Sequence, residues 1–283
     1  MLISVVISTV SRERSPLLMR LIQSLNDQTD QGFEGIIIVD ENPSLAEDLT
    51  KWLADRQNWR VYANPNDRGL AHSRNIGMAL AKGDVIAFID DDAVASADWL
   101  RTIREIFSDK DVGAATGHIF PDWEHEWMDW FPHELFWMIS CSYNVTPKER
   151  CEIDRGFGVD MAFSKKALSQ VGGFDERFGI KKGQWIGGED TELFLRVREV
   201  QYKVVFEPNM WVLHHVPSKR LSMGKLAKRA VAQGQGSYYM RHHTNLKVSK
   251  YSGKSYLDSL FKEFVPHTLK GIASRNFALH LRR

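Results

Sequence analysis

At 283 residues, with 43% hydrophobic and 26% charged side chains, the chain has the size of one large α/β domain or one domain with an appended segment, and wholesale disorder is excluded. Two cysteines, Cys141 and Cys151, supply neither a metal cluster nor a disulfide framework, and suit a reduced, cytoplasmic compartment. The net charge of +1 conceals a division: residues 217–283 hold 14 Lys and Arg against 2 Asp and Glu, so they carry +12 and the rest of the chain −11.

The opening ISVVIST (3–9) predicts a strand and lacks the basic segment and cleavage site of a signal peptide. Apolar 3–4 spacing in LLMRLIQSL predicts a helix over 17–25. GIIIVD (35–40) predicts a strand ending at Asp40, and SLAEDLTKWLA (44–54) a helix capped by Ser44. WRVYANP (59–65) reads as a short strand and GLAHSRNIGMALAK (69–82) as a helix. VIAFID (85–90) is apolar without alternation, so both faces of that strand must be covered. A helix over 97–107 and a strand in VGAATGHI follow. No apolar run approaches the roughly 20 residues that span a bilayer.

This alternation predicts a parallel, doubly wound sheet with ligands at the carboxyl ends of its strands. Those ends are polar: Thr9 with Ser11, Asp40, Asn64 with Asn66, then Asp90, Asp91 and Asp92. No G-x-G-x-x-G or P-loop pattern opens a helix, which argues against dinucleotide or ATP-loop chemistry.

Residues 118–140 gather four of the nine tryptophans between positions 123 and 137, among carboxylates. Amphipathic rings in that setting fit a sugar platform, a membrane interface or plain packing. Farther on, ELFLRVRE predicts a helix with Glu-Asp-Thr at its start, and KVVFEP a strand. Helical spacing returns in LSMGKLAKRAVAQG and YLDSLFKEFVPHTLKGI, which predicts a basic helical extension. Its charge suits an anionic membrane surface or an acidic acceptor, or simply a solvated face.

Three adjacent carboxylates at the end of a buried strand repel one another and require a compensating cation or proton. A hard divalent ion with oxygen ligands, Mn²⁺ or Mg²⁺, is the usual compensator and bridges to phosphate oxygens. Two chemistries fit. One is a haloacid-dehalogenase-type phosphatase, whose strand–D-x-D-x-[TV] pattern is met by Asp90, Asp92 and Val94, with Asp90 as nucleophile. That reading leaves the polar ends of the earlier strands idle. A glycosidase leaves the aspartate cluster without a purpose.

The other chemistry comes with a resemblance. VVISTVSRER with Thr9 and Arg12, IIIVDEN with Asp40, GLAHSRNIG with Arg74 and Asn75, GDVIAFIDDD, GGEDTELFLR and WVLHHVPSKR stand in the order of the motifs of glycosyltransferase family 2. The resemblance covers residues 3 to about 220 and implies a GT-A fold: a mostly parallel central sheet flanked by helices, here with a C-terminal helical extension. It divides the chain into residues 1–220 (nucleotide-binding half 1–117, acceptor half 118–220) and a basic extension over 221–283.

The resemblance further implies a metal-dependent, inverting transfer from a nucleotide sugar, UDP-linked by preference, to a glycan or polyprenyl-phosphate-linked acceptor. Asp92 and His214 would hold the metal, with Asp90 toward the ribose and Asp91 in either duty. Thr9, Arg12, Asp40 and Arg74 would hold the nucleotide. Asp190 would be the general base and Glu189 would orient the acceptor. Trp185 is placed to stack on a sugar face or to pack in the core, and Gly187 and Gly188 would let sugar approach the backbone. Apart from the resemblance, the cysteine content points to the cytoplasm, and the basic, partly amphipathic tail with the tryptophan-rich segment points to peripheral contact with a membrane surface, with no nucleic-acid partner. A sugar-nucleotide-binding module without catalysis is the remaining alternative.

Overall fold

The computed structural model describes residues 1–66, 68–143, 146–181, 184–244 and 246, the side chains of 180, 181, 184 and 185 excepted. The second predicted helical stretch of the extension therefore lies outside the described residues.

The first half runs β1 (Ile3–Thr9), α1 (Ser15–Asn26), β2 (Phe33–Asp40), α2 (Pro43–Trp52), β3 (Trp59–Asn64), α3 (Leu70–Leu80) and β4 (Val85–Ile89). β1 pairs in parallel with β2 and β4, and β2 with β3. Alternate residues feed two cores, as a strand covered on both faces requires. Val5, Ile7 and Ala87 pack with Leu21, Ile22 and Ile103 on one side, while Val6, Ile86 and Phe88 pack with Ala71, Phe163 and Phe194 on the other. α2 is capped by Asn42, whose side chain accepts the Leu45 amide at 3.1 Å, and not by Ser44. Pro43 suits the first helical position because it needs no amide donor there, and so it draws the start forward.

The chain continues through β5 (Ala93–Ala95), α4 (Trp99–Ile106), β6 (Val112–Thr116), β7 (Ile119–Trp123), β8 (Cys151–Glu152), β9 (Asp160–Ser164), α5 (Lys165–Val171), β10 (Gly179–Lys181), β11 (Gln184–Ile186), α6 (Glu189–Glu199), β12 (Lys203–Phe206), β13 (Val212–Val216) and α7 (Met223–His243). Eight strands form the central sheet in the order β3-β2-β1-β4-β9-β6-β12-β8. The sheet is mostly parallel, as expected, and its exceptions are β9, antiparallel to both β4 and β6, and β8 on the edge. The excursion after β6 returns at the carboxyl end of β4, where Asp160 pairs with Ile89, so β9 must run the other way. That return delivers residues 157–159 to the polar rim: the Asp90 amide donates to the Val159 carbonyl at 3.2 Å. A small second sheet, β5-β13-β7, stands beside the rim.

Asp160 is fully buried; its Oδ1 accepts the Trp99 indole N–H at 2.9 Å and its Oδ2 has no hydrogen-bond partner. Burial pushes its carboxyl up to about 8, against the hydrogen bonds from Trp99 and the Gly117 backbone. The group is therefore neutral in the fold and ionised in the unfolded chain between about pH 4 and 8. Since the folded state binds the extra proton there, stability falls as pH rises through that window. Asp160→Asn removes this loss, and urea unfolding at pH 5 and pH 8 reads it, with a slope of at most about 1.4 kcal/mol per pH unit in the wild type.

Candidate active site

The rim where β1, β2 and β4 end collects the polar residues named above. Thr9, at the end of β1, donates its hydroxyl to Asp91 Oδ2 at 2.6 Å. Asp40, at the end of β2, accepts from Asn64 Nδ2 at 2.7 Å and from the Ser73 hydroxyl at 2.5 Å. Asp91 and Asp92 are 3% and 6% exposed, and Arg14 binds both, with Nη2 2.6 Å from Asp91 Oδ1 and in contact with Asp92 Oδ2. Burial pushes the Asp91 carboxyl up to about 7, opposed by Arg14 and the Thr9 hydroxyl and reinforced by the charges of Asp92 and Asp90.

The arginine that the β1–α1 turn delivers to the aspartates is Arg14 and not Arg12. The turn over Arg12–Arg14 is 3-10 helical, and residues two apart on such a turn point in different directions. Arg12 faces α2, where it pairs with Asp48 at 2.7 Å on the surface.

His214 reaches the rim because β13 pairs with β5, the short strand directly after the aspartates. His214 stands opposite Ala93, and the His215 amide donates to the Asp92 carbonyl at 2.9 Å. Strand alternation turns His214 inward and His215 outward toward Asp122. His214 Nε2 lies 3.4 Å from Asp92 Oδ1 and 3.1 Å from Arg220 Nη1, and Nδ1 lies 3.8 Å from Cys141 Sγ. Arg220 can only donate, so Nε2 is assigned as acceptor, with the ring proton on Nδ1.

Asp90, Asp92 and His214 each offer one ligand atom, all within 4.8 Å of one another. Asp92 Oδ1 is buried and accepts no hydrogen bond. An orphaned carboxylate oxygen beside an imidazole lone pair and a second carboxylate is a donor set that fits Mn²⁺ or Mg²⁺. Asp90, expected toward the ribose, is the third member of this group.

Arg74 is 3% exposed and is carried by α3. Its Nη2 donates to Asp90 Oδ1 at 2.9 Å and to the Gly158 carbonyl at 2.9 Å, and its Nη1 lies 3.5 Å from Glu189 Oε1. The Gly158 amide in turn donates to Asp190 Oδ2 at 2.8 Å, while the Thr191 amide donates to Asp190 Oδ1 at 2.7 Å. One guanidinium thus joins the aspartate rim to the amino end of α6. A β-carbon on Gly158 would stand 3.1 Å from Arg74 and 3.3 Å from Asp190, tight enough that both side chains would have to give by a few tenths of an ångström. Burial and then the Asp190 charge push the Glu189 carboxyl up, with Arg74 opposing.

Gly188, at φ 104°, holds a backbone conformation that other residues avoid, and it starts α6. The close approach at this turn is made by α7, not by open space for a sugar. The Gly187 amide donates to the Ala232 carbonyl at 3.1 Å, and a β-carbon on Gly236 would fall 1.7 Å from the Gly187 oxygen. The Trp185 side chain lies outside the described residues. The tryptophan-rich stretch forms two 3-10 turns that bury Met128, Phe131, Phe136 and Ile139 and leave Trp127 and Trp130 55% and 48% exposed. Its apolar residues are buried, while the two outer rings stay half exposed, Trp127 stacked on His125 and Trp130 edge-on to Phe131.

Arg14, Gly158 and Arg220 stand at the site without having been singled out in the sequence, and so does Cys141, read there only for its redox compartment. The second arginine of SRER and the arginine closing HHVPSKR were the available signals for two of them.

The sequence profile described as "Glycosyl transferase family 2" matches residues 4–172. The chain belongs to glycosyltransferase family 2. A second profile, "N-terminal domain of galactosyltransferase", matches residues 142–217. Among curated proteins, this family 2 member is 28% identical over 276 residues to "Glucosyl-dolichyl phosphate glucuronosyltransferase" of Haloferax volcanii, covering 96% of this chain and 87% of that protein. It is 29% identical over 177 residues to "Succinoglycan biosynthesis protein ExoM" of Rhizobium meliloti, covering 62% of this chain and 54% of that protein. With "Polypeptide N-acetylgalactosaminyltransferase 4" of Mus musculus it shares 24% identity over 243 residues, 76% of this chain and 40% of that protein. The family 2 glycosyltransferase is therefore an enzyme that uses a nucleotide sugar, its central sheet and flanking helices agree with a GT-A fold, and the phosphatase and silent-module alternatives fall away.

Proposed function

We propose that this glycosyltransferase is metal-dependent and inverting, and moves a sugar from a UDP-sugar to a hydroxyl of a polyprenyl-phosphate-linked glycan at a membrane surface. The observation that supports it above all is the Arg74 bridge, which makes Asp90 and the Glu189–Asp190 pair parts of one site.

In this reading Asp90, Asp92 and His214 hold Mn²⁺ or Mg²⁺, which when bound supplies Lewis-acid stabilisation of the diphosphate leaving group. Asp40, fixed by Asn64 and Ser73, reads the base, and Thr9 acts through Asp91. Asp190 takes the proton of the acceptor hydroxyl. Its two backbone donors fix the direction of the carboxylate, and each oxygen keeps a second lone pair for that proton. Arg74 holds Glu189 beside it to orient the acceptor. One base and a direct displacement invert the anomeric carbon, so an α-linked donor gives a β-linked product.

The activity named for the Haloferax volcanii relative supports a lipid-phosphate-linked sugar as acceptor and glucuronate as the first donor to try. The basic extension supports a membrane surface. Residues 223–243 contain no Asp or Glu, and α7 exposes Lys225, Lys228, Val231, Tyr238 and Arg241. Among the described residues no helix is long and apolar enough to cross a membrane. The domain division at residue 220 enters this reading with α7 included on the acceptor side, where it packs on Gly187.

Radiolabelled UDP-glucuronate, UDP-glucose and UDP-N-acetylglucosamine are to be offered with Mn²⁺, Mg²⁺ or EDTA. The acceptors are a short polyprenyl-phosphate glucose, in anionic or neutral vesicles, and free glucose. The expected result is metal-dependent transfer to the lipid-linked sugar with a β linkage, faster on anionic vesicles and slowed by salt. Undiminished transfer in EDTA removes the metal, preference for free glucose removes the lipid-linked acceptor, and an α product removes inversion.

A further inference from the structure

Arg14 and Arg220 take no part in the reaction as written above, yet both stand against the atoms that would hold the metal. Arg14 Nη2 binds Asp91 Oδ1 at 2.6 Å and touches Asp92 Oδ2. Arg220 Nη1 donates to His214 Nε2 at 3.1 Å and to the Ile139 carbonyl at 3.3 Å. With Arg74 on Asp90, three guanidinium groups face three adjacent carboxylates. With all three carboxyls ionised the three guanidinium charges balance them, and this pairing is what lets Asp91 and Asp92 lie buried side by side.

A neutral cluster is a poor host for a bare divalent cation, which would leave a buried double positive charge. A nucleotide sugar carries one negative charge on each of its two phosphoryl groups, so a cation and a donor arriving together add no net charge. A cation on His214 Nε2 takes the lone pair that Arg220 now uses, and one on the free Asp92 Oδ1 repels the Arg14 guanidinium held on the other oxygen of the same carboxylate. The displaced guanidinium groups are then next to the cation, where the phosphate oxygens sharing it must lie. Guanidinium matches phosphate with a planar pair of donors. Arg14, with 39% of its side chain exposed, has room to turn, whereas Arg74 is buried and tied to Gly158.

We infer that Arg14 and Arg220 are the resident counter-ions of the aspartate cluster, and pass to the donor's diphosphate when metal and nucleotide enter together. The inference rests on the metal-dependent reading of the site. It has a consequence that mere structural support lacks: removing either arginine changes the affinities for metal and nucleotide in opposite directions.

The test is calorimetric titration of the full chain with Mn²⁺ alone, UDP alone, and Mn²⁺ in the presence of UDP, for wild type, Arg14→Gln and Arg220→Ala. In wild type, Mn²⁺ is expected to bind about tenfold or more tightly once UDP is present. In either variant Mn²⁺ alone is expected to bind several-fold more tightly than in wild type, and UDP with Mn²⁺ about tenfold more weakly. Arg14→Lys and Arg220→Lys keep the charge and guard against a variant that does not fold. They are expected to leave the affinity for Mn²⁺ alone unchanged and to weaken UDP, since an ammonium lacks the paired donors. Both affinities falling together, or neither moving, overturns the inference while the metal-dependent reading stands. A wild type that binds no Mn²⁺ even with UDP overturns both.

Discussion

Asp190→Asn is expected to lower sugar transfer by about 10²–10⁴-fold, the usual worth of a positioned base, while leaving the UDP affinity unchanged. The substitution keeps the shape of the side chain and removes its capacity to take a proton. The carboxylate now accepts from the Gly158 and Thr191 amides, at 2.8 and 2.7 Å. An Asn oxygen can keep one of these, and the amide nitrogen faces the other donor, which costs about 1–3 kcal/mol of stability. A melting curve therefore accompanies the assay, to separate a small loss of folded enzyme from a large loss of rate. Transfer within a few-fold of wild type would take the base away from Asp190 and leave Glu189, held 3.5 Å from Arg74 and with its carboxyl pushed up, as the nearest carboxyl to examine.

Asp92→Ala is expected to act on a different quantity. It removes the orphaned Oδ1 from the Asp90–Asp92–His214 group and one of the two carboxylates that Arg14 binds. Transfer should fall by about 10³-fold or more, as losing several kcal/mol of leaving-group stabilisation implies. The rise in melting temperature that Mn²⁺ with UDP produces in wild type should vanish, because a ligand stabilises the fold only in proportion to its binding. The decisive comparison uses EDTA, which should bring wild type down to the level of the variant and do nothing further to the variant. Two separate losses that multiply would show that Asp92 acts elsewhere than at the metal.

These two residues differ in how they could be found. Asp92 was visible as the end of VIAFIDDD, because like charges after an unbroken apolar strand demand compensation whatever the fold. Asp190 and His214 were found through the order of motifs, and no local pattern brings either one to Asp90. The link to Asp190 passes through Gly158, a residue with no chemistry of its own, which matters because a β-carbon there would crowd Arg74 and Asp190. Its position follows from the reversed direction of β9, which the alternation of strands and helices had not suggested.

Arg12 and Arg14 show the limit most sharply. They are the same residue type two positions apart, and composition, charge and spacing treat them alike. The 3-10 turn sends one toward Asp48 on α2 and the other between Asp91 and Asp92. Gly187 and Gly188 show it again, since α7 packs on that turn, its Gly236 so close that a β-carbon there would fall 1.7 Å from the Gly187 oxygen.

Periodicity and polarity along the chain were enough to determine a sheet covered on both faces, a polar edge at the ends of its strands, and a carboxylate cluster in need of a cation. Those properties depend on neighbours in sequence. Which arginines pair with the cluster, which way the middle strand runs, and that a helix of the extension closes over the turn before Asp190 were decided only in three dimensions. They depend on contacts between residues as far apart as Arg14 and Asp91, or Gly187 and Gly236, whose energies no local pattern records.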